Sequence, residues 1–291
     1  MTNHKTKGIL LVLFSTLMFG SYGVWSRLLG PHFPNFYQGY VRALLISVPL
    51  VIFLILREGL PTIDRRDLKW FAVYLAFTSA TQAPLYYAYN HMDIGGATLL
   101  FYVTCLITMY LIGYYFLDER ITVIKLSSFT LGCAGLYTVF SFSISRFSLL
   151  AASMAILNGI ATGGEVAFSK KLSERYSAIF LTAISWLIIA VTSLPISLIL
   201  GEQQIIPAFN TQWLILIGYS VVSLLGFWSV IYGLRYLEAS VGGLIGMLEI
   251  IFGIALGMFL FDEELTLKTS IGVALILAAA ALPSIRAPKK S

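Results

Sequence analysis

The chain has 291 residues, of which 58% are hydrophobic and only 11% charged, and its mean hydropathy is +0.86. So little polar surface excludes a soluble globular domain. The formal charge of +5 excludes nothing until the charges are placed along the chain.

Ten apolar stretches fill it. A hydrocarbon layer of ~30 Å takes ~20 helical residues to cross, and backbone groups without partners in lipid force each crossing to be a helix. Spans are predicted at 8–29, 34–56, 69–90, 94–116, 123–142, 148–168, 177–200, 212–236, 240–261 and 265–284. The fold class is therefore an all-α integral membrane protein with ten transmembrane helices. The first stretch is too long for the apolar core of a cleaved signal, and no small-residue cleavage site follows it. Cys105 and Cys133 fall inside predicted helices and read as small apolar fillers, not as a disulfide.

The placement of charge orients the chain. With the N-terminus in the cytoplasm, fifteen Lys and Arg residues, among them Lys5, Lys7, Arg57, Arg120, Lys170 and Arg286, fall on the cytoplasmic side. Arg27, Arg146 and Lys268 fall on the opposite side, and Arg42 lies within the second span. That excess is the positive-inside rule. It predicts both termini in the cytoplasm, the Ser145–Ser148 loop outside, and a multi-pass protein of the cytoplasmic (inner) membrane. The basic balance is absorbed by topology, so the lipid bilayer is the expected partner and nucleic acid is not.

The chain also repeats itself. Asp118-Glu119-Arg120-Ile121-Thr122 recurs 144 positions later as Asp262-Glu263-Glu264-Leu265-Thr266, and Trp25-Ser26-Arg27 falls on Phe168-Ser169-Lys170 at an offset of 143. Gly20 falls on Gly163, and Pro49 and Pro195 sit at similar depths in the second and seventh spans. The boundaries are 1–142 for the first five-helix repeat and 143–291 for the second, within one membrane domain. An odd number of crossings per repeat makes the second enter from the opposite side. Inverted repeats of this kind belong to secondary transporters, with the site near the midplane where the halves meet.

Ten spans, two five-helix repeats and an acidic turn before the last helix of each repeat resemble the EamA-type branch of the drug/metabolite transporter superfamily. The resemblance runs over essentially the whole chain and includes Arg42 and Leu248-Glu249. The chain departs from it at Ile250 and at Val103-Thr104-Cys105-Leu106, where the family often has proline. The resemblance implies a transporter, and export as its direction; members carry diverse substrates.

Ionisable groups within the spans are the leading site candidates. Arg42, Glu165 and Glu249 each cost roughly 2.5–3.5 kcal/mol on insertion scales and so call for a cavity or a partner. A carboxyl taken out of water holds a proton more readily, which makes Glu249 and Glu165 the proton-coupling candidates. Asn158, Thr162, Glu165 and Ser169 share one face of the sixth span at steps of four, three and four. Ser15, Phe19, Tyr22 and Ser26 repeat those steps in the first, so Tyr22 corresponds to Glu165. The third span contributes Thr78, Gln82, Tyr86 and Tyr89, with Pro84 interrupting its hydrogen-bond ladder. Its repeat partner contributes Gly226, Trp228 and Tyr232. Aromatic faces of this kind hold cations or planar ligands. The substrate-binding candidates are thus Tyr22, Gln82, Tyr86, Tyr89, Tyr102, Asn158, Thr162, Glu165, Trp228, Tyr232 and Glu249.

Other features read as structure. Tyr37, Tyr74, Tyr176 and Trp213 are assigned to the interfacial aromatic belts, and Asn90, His91 and Asp93 to a solvated helix end. The acidic turns are assigned to capping of the helices that follow, with Thr122 and Thr266 as N-cap residues. Gly159-xxx-Gly163 and Gly253-xxx-Gly257 allow close helix approach, read as internal packing in a monomer or weak homodimer. No GxxxxGK[ST], HExxH or GxSxG occurs, so neither an ATP-driven pump nor an enzyme is indicated, and no metal or cofactor is expected. The sequence reading is a secondary transporter exporting a small organic metabolite, an amino acid or amine, by alternating access. Its alternatives are proton-coupled efflux of lipophilic cations, and a non-transporting receptor or scaffold.

Overall fold

The computed structural model describes residues 2–140 and 148–285. The expected Ser145–Ser148 loop falls outside the described residues up to position 147, as do Arg286, Lys289 and Lys290. Among the described residues the chain is helical with no strands. In order come α1 (Thr2–Gly20), α2 (Tyr22–Leu29), α3 (Asn35–Phe53), α4 (Leu68–Ser79), α5 (Gln82–His91), α6 (Ile94–Phe116) and α7 (Val123–Phe140). They are followed by α8 (Leu149–Ser173), α9 (Ala178–Ile199), α10 (Thr211–Leu234), α11 (Ala239–Gly246), α12 (Leu248–Phe261) and α13 (Leu267–Ile285).

Eight runs of these helices are long and apolar enough to cross a membrane. Two of them are interrupted, at Ser21 and at Met247. The stretch predicted as the third span is divided into α4 and α5, and α13 is a shorter apolar helix over Leu267–Pro283. Each interruption has a local cause. Pro84 lacks an N–H and its ring crowds the carbonyl four residues back, which is Ala80, where α4 gives out. The Ser21 hydroxyl donates to the Met18 carbonyl (2.6 Å), a back-bond that bends helices. Gly242, Gly243 and Gly246 weaken α11 just before Met247, so that the helix breaks there without a proline. The breaks meet in space: a Cβ on Gly20 would stand 2.6 Å from the Glu249 carbonyl oxygen.

Helices α8, α9 and α10 begin at Ser148, Ser177 and Asn210, whose side chains accept from backbone N–H groups three residues on. Thr122 and Thr266 do the same for α7 and α13, at 3.3 and 3.1 Å, as the acidic-turn sequences predict. Packing joins α6 to α8, α7 to α13, α3 to α9, and α1 to α10 and α12, with α4 and α5 also against α8. Buried apolar residues form one cluster around Tyr74, Leu181 and Ile231 and another around Leu106, Leu136, Met247 and Ile276. Leu10, Ile52, Leu111, Ile199 and Phe259 are exposed around the outside. In water such a surface would be unstable, and in a bilayer it is the lipid-facing one.

The tightest approach is between α8 and α6. A Cβ on Gly159 would lie 2.4 Å from the Phe101 carbonyl oxygen and 1.9 Å from Thr104 Oγ1. Backbone cannot give way as a flexible side chain does, so Gly159→Val is expected to cost at least the ~1–3 kcal/mol of an overpacked core. A fall in the melting temperature of the purified variant, with α6 and α8 splayed, is the measurable result.

The aromatic belt assignment is corrected. Tyr37, Tyr74, Tyr176 and Trp213 are all buried within the bundle. Tyr176 donates to Asp67 (3.0 Å) and Tyr74 to the Leu181 carbonyl (3.3 Å). Tyrosine content alone does not distinguish an interfacial ring from one whose hydroxyl satisfies a buried acceptor.

Candidate functional site

The polar groups inside the bundle fall into separate sets. Glu165 belongs to a sealed one. It is 4% exposed, and one carboxylate oxygen accepts from Thr78 (3.0 Å) and from the Ser185 hydroxyl. Helices α4, α8 and α9 thus close a hydroxyl pocket around it. On the same face of α8, buried Asn158 accepts from Thr162 (3.2 Å). Removing the carboxyl takes the acceptor from the Ser185 hydroxyl, while Thr78 keeps the Tyr74 carbonyl (3.0 Å), a loss of about 1–3 kcal/mol. Glu165→Ala should therefore melt well below the wild type, whereas Glu165→Gln, which keeps an acceptor, should melt close to it.

A second set is more open. Glu249 lies in the first turn of α12, directly after the break at Met247, with Tyr102 beside it. It is near enough to Tyr22, Tyr89 and Cys105 to act on each electrostatically. Tyr22, Tyr86 and Glu249 keep accessible surface although they lie within the bundle. Tyr89 is 37% exposed and its hydroxyl meets Thr98 at 3.3 Å. Tyr86 sits edge-on to Phe36 with centroids 5.2 Å apart. Gln82 opens α5 beside Thr81 (3.4 Å).

Arg42, on α3, adjoins this set. Its guanidinium carbon lies 3.5 Å from the Tyr219 ring centroid, 5.5 Å from that of Tyr22 and 5.9 Å from that of Trp186. It donates to Ser223 (2.6 Å). Residue spacing marked Arg42 as a charge inside the membrane without revealing this aromatic cradle. Tyr219 was not legible at all, because nothing in α10 announces that it faces α3. Trp228 and Tyr232 stand elsewhere. They stack on one another at 5.6 Å, and Tyr232 accepts from Lys7 (2.9 Å) in an exposed cluster with Tyr236.

The two acidic turns form a third, paired feature. Asp118 and Asp262 both adopt left-handed backbone, with φ of 54° and 52°. The following glutamates fold back onto Gly113 and Gly257, whose missing side chains leave room for the carboxylates. There the likeness ends. Glu119 reaches across to the start of α11, where it accepts from the Ala239 and Ser240 amides and the Ser240 hydroxyl. A helix N-terminus favours such a negative charge. Lys170 lies 3.7 Å from Glu119 and also donates to the Leu234 and Leu237 carbonyls, while Lys125 pairs with Glu238 at 2.6 Å. Glu263 instead meets only Arg27 among the described residues, in a pair whose side chains are 54% and 43% exposed. Asp93 precedes α6 as Glu238 precedes α11, with the same extended backbone, yet one of its carboxylate oxygens is buried without a partner. The sequence reading held these turns to be local caps. Glu119 caps a distant helix as well.

Among the described residues no group of three or more His, Cys, Asp or Glu could hold a metal ion.

Comparison with known proteins accords with this architecture. The chain is 23% identical over 293 residues to an uncharacterized transporter of Helicobacter pylori (strain J99 / ATCC 700824), covering 99% of this chain and 97% of that protein. A solved crystal structure, 15% identical, superposes with a TM-score of 0.80 over 96% of this chain and 98% of its own, which speaks to the fold alone. The sequence model of the EamA-like transporter family matches twice, at residues 6–141 and 149–285. Matched over nearly its whole length, this multi-pass membrane chain belongs to the EamA-like transporter family.

Proposed function

We propose that the protein is a secondary transporter that moves a small organic metabolite, amino acid or amine-like, across the cytoplasmic membrane by alternating access. Ten crossings, with both termini cytoplasmic and residues 1–142 and 143–291 as inverted repeats, are the architecture of this reading. The twofold family match supports it, and so does the packing. Exchange of the halves maps the pairs α3–α9 and α7–α13 onto themselves and α6–α8 onto the α12–α1 pair. The outward direction follows the family resemblance.

The observation that carries the proposal is the inequality of the two acidic turns. Equivalent latch residues exist at both ends, but only the Glu119 end is fastened onto the helix it faces. By the positive-inside rule that end is cytoplasmic, so this state is closed inward. The opposite state follows by exchange: Glu119 releases α11, and Glu263 takes the equivalent place at the start of α6, with Lys268 brought toward Asp93. Bonds broken at one end are replaced at the other. That keeps the two states close in energy, as population shift by a ligand requires.

Purified protein in liposomes loaded with unlabelled amino acids should take up the matching labelled amino acid by counterflow. A second reading, efflux of lipophilic cations in exchange for protons, is favoured by the aromatic ring around Glu249. It predicts instead that lipophilic cations move and acidify the opposite compartment. No flux of amino acids, amines or lipophilic cations would leave a receptor or scaffold as the account.

A further inference from the structure

We propose that the pocket around Arg42 is a carboxylate site: the transported molecule carries an anionic group that the guanidinium grips, and a cationic group that lies toward Glu249. This rests on the transporter reading above and names the substrate chemistry within it. Arg42 is 7% exposed and forms no ion pair among the described residues. It donates to Ser223, which spends its own proton on the Tyr219 carbonyl (2.7 Å), and the Tyr219 side chain lies against it. Arg42 Nε is buried with no partner among the described residues.

Other polar atoms of the neighbourhood are unpartnered in the same way among the described residues. Trp186 Nε1 and Ser193 Oγ on α9 are also buried and unpartnered. They are seven residues apart and so share a helix face; Trp186 is one of the rings flanking Arg42, and Ser193 lies beside Gly39, one turn from Arg42 on α3. A Cβ on Gly39 would stand 3.4 Å from the Tyr86 hydroxyl and 3.7 Å from Ser193 Oγ. A positive charge with an unused Nε–H, beside the unused Trp186 N–H and a hydroxyl that can donate, suits a negative, acceptor-rich group, and the planar guanidinium fork matches a carboxylate. Tyr22 is near both charges, its ring 5.5 Å from the Arg42 guanidinium carbon and Glu249 near enough to act on its hydroxyl. That arrangement fits a zwitterion lying against aromatic walls.

The test measures binding to the purified full-length protein with three matched series: the twenty common L-amino acids, their methyl esters and the corresponding decarboxylated amines. Amino acids should bind, and the esters and amines should bind at least ~10-fold more weakly. Arg42→Gln should lose amino-acid binding by a similar factor, and Arg42→Lys, which keeps charge without the fork, should recover part of it. Should Arg42→Gln fail to fold, the three series on the wild type still decide. Equal binding of esters or amines, or binding by no carboxylate in the panel, overturns the carboxylate site. Counterflow separates the two readings: amines that bind and move overturn this site but leave the transporter standing. Amino acids that bind through Arg42 without moving uphold the site and sink transport.

Discussion

Glu119→Gln and Glu263→Gln should abolish transport equally while differing in their effect on stability. Glu119 sits in a nearly buried pair with Lys170, with side-chain exposures of 5% and 16%, and satisfies two backbone amides. Breaking a wholly buried pair costs about 3–5 kcal/mol. The residual exposure of Lys170 and the oxygen that glutamine keeps bring the expected loss toward ~2–3 kcal/mol. The Glu263 pair with Arg27 is half exposed, and such pairs contribute about 0–1 kcal/mol. Thermal unfolding in one detergent should show a clear drop for the first variant and almost none for the second. Both lose flux, because each removes the latch of one of the two states. Equal melting temperatures for the variants, or normal flux in either, would refute the latch.

The second large effect concerns Glu249. It lies in the first turn of α12 where two interrupted helices touch, beside Tyr22, Tyr89 and Tyr102. Glu249→Gln preserves size and most hydrogen-bonding capacity while removing the charge. The variant should fold and melt near the wild type. Its counterflow should fall by about tenfold or more, the loss typical of a desolvated charged contact, and any dependence of rate on pH should flatten. Full activity with an unchanged pH profile would make Glu249 a packing residue.

The all-helical, membrane-crossing character was readable because lipid imposes length and apolarity on each helix, and the paired acidic turns because Asp118-Glu119 and Asp262-Glu263 stand in the same order before the same kind of helix. The break at Pro84 was readable too, since proline acts through its own ring. Those at Ser21 and Met247 were not: a serine back-bond and a run of glycines are common in unbroken membrane helices, and packing decides whether they yield. Helical spacing correctly grouped Asn158, Thr162 and Glu165 on one face. It could not say that this face meets Thr78 and Ser185 in a sealed pocket while Glu249 keeps accessible surface. Trp228 and Tyr232 illustrate the same limit, because periodicity fixes a face but not the depth or the neighbour. The lack of a counter-charge at Arg42 among the described residues is a property of three helices together, and one-dimensional spacing carries no trace of it.

Alternation between two latched states is the central claim, and paired distances between spin labels test it most directly. With Cys105 and Cys133 replaced by alanine, one pair is placed at Ile121→Cys and Arg235→Cys, at the Glu119 end. A second pair, at the equivalent positions Asn90→Cys and Leu265→Cys, reports the other end. In the otherwise native protein the first distance should be short and the second long. Adding Glu119→Gln should lengthen the first and shorten the second in the same molecules. Two distances that rise together, or that do not move, would contradict alternating access through these latches.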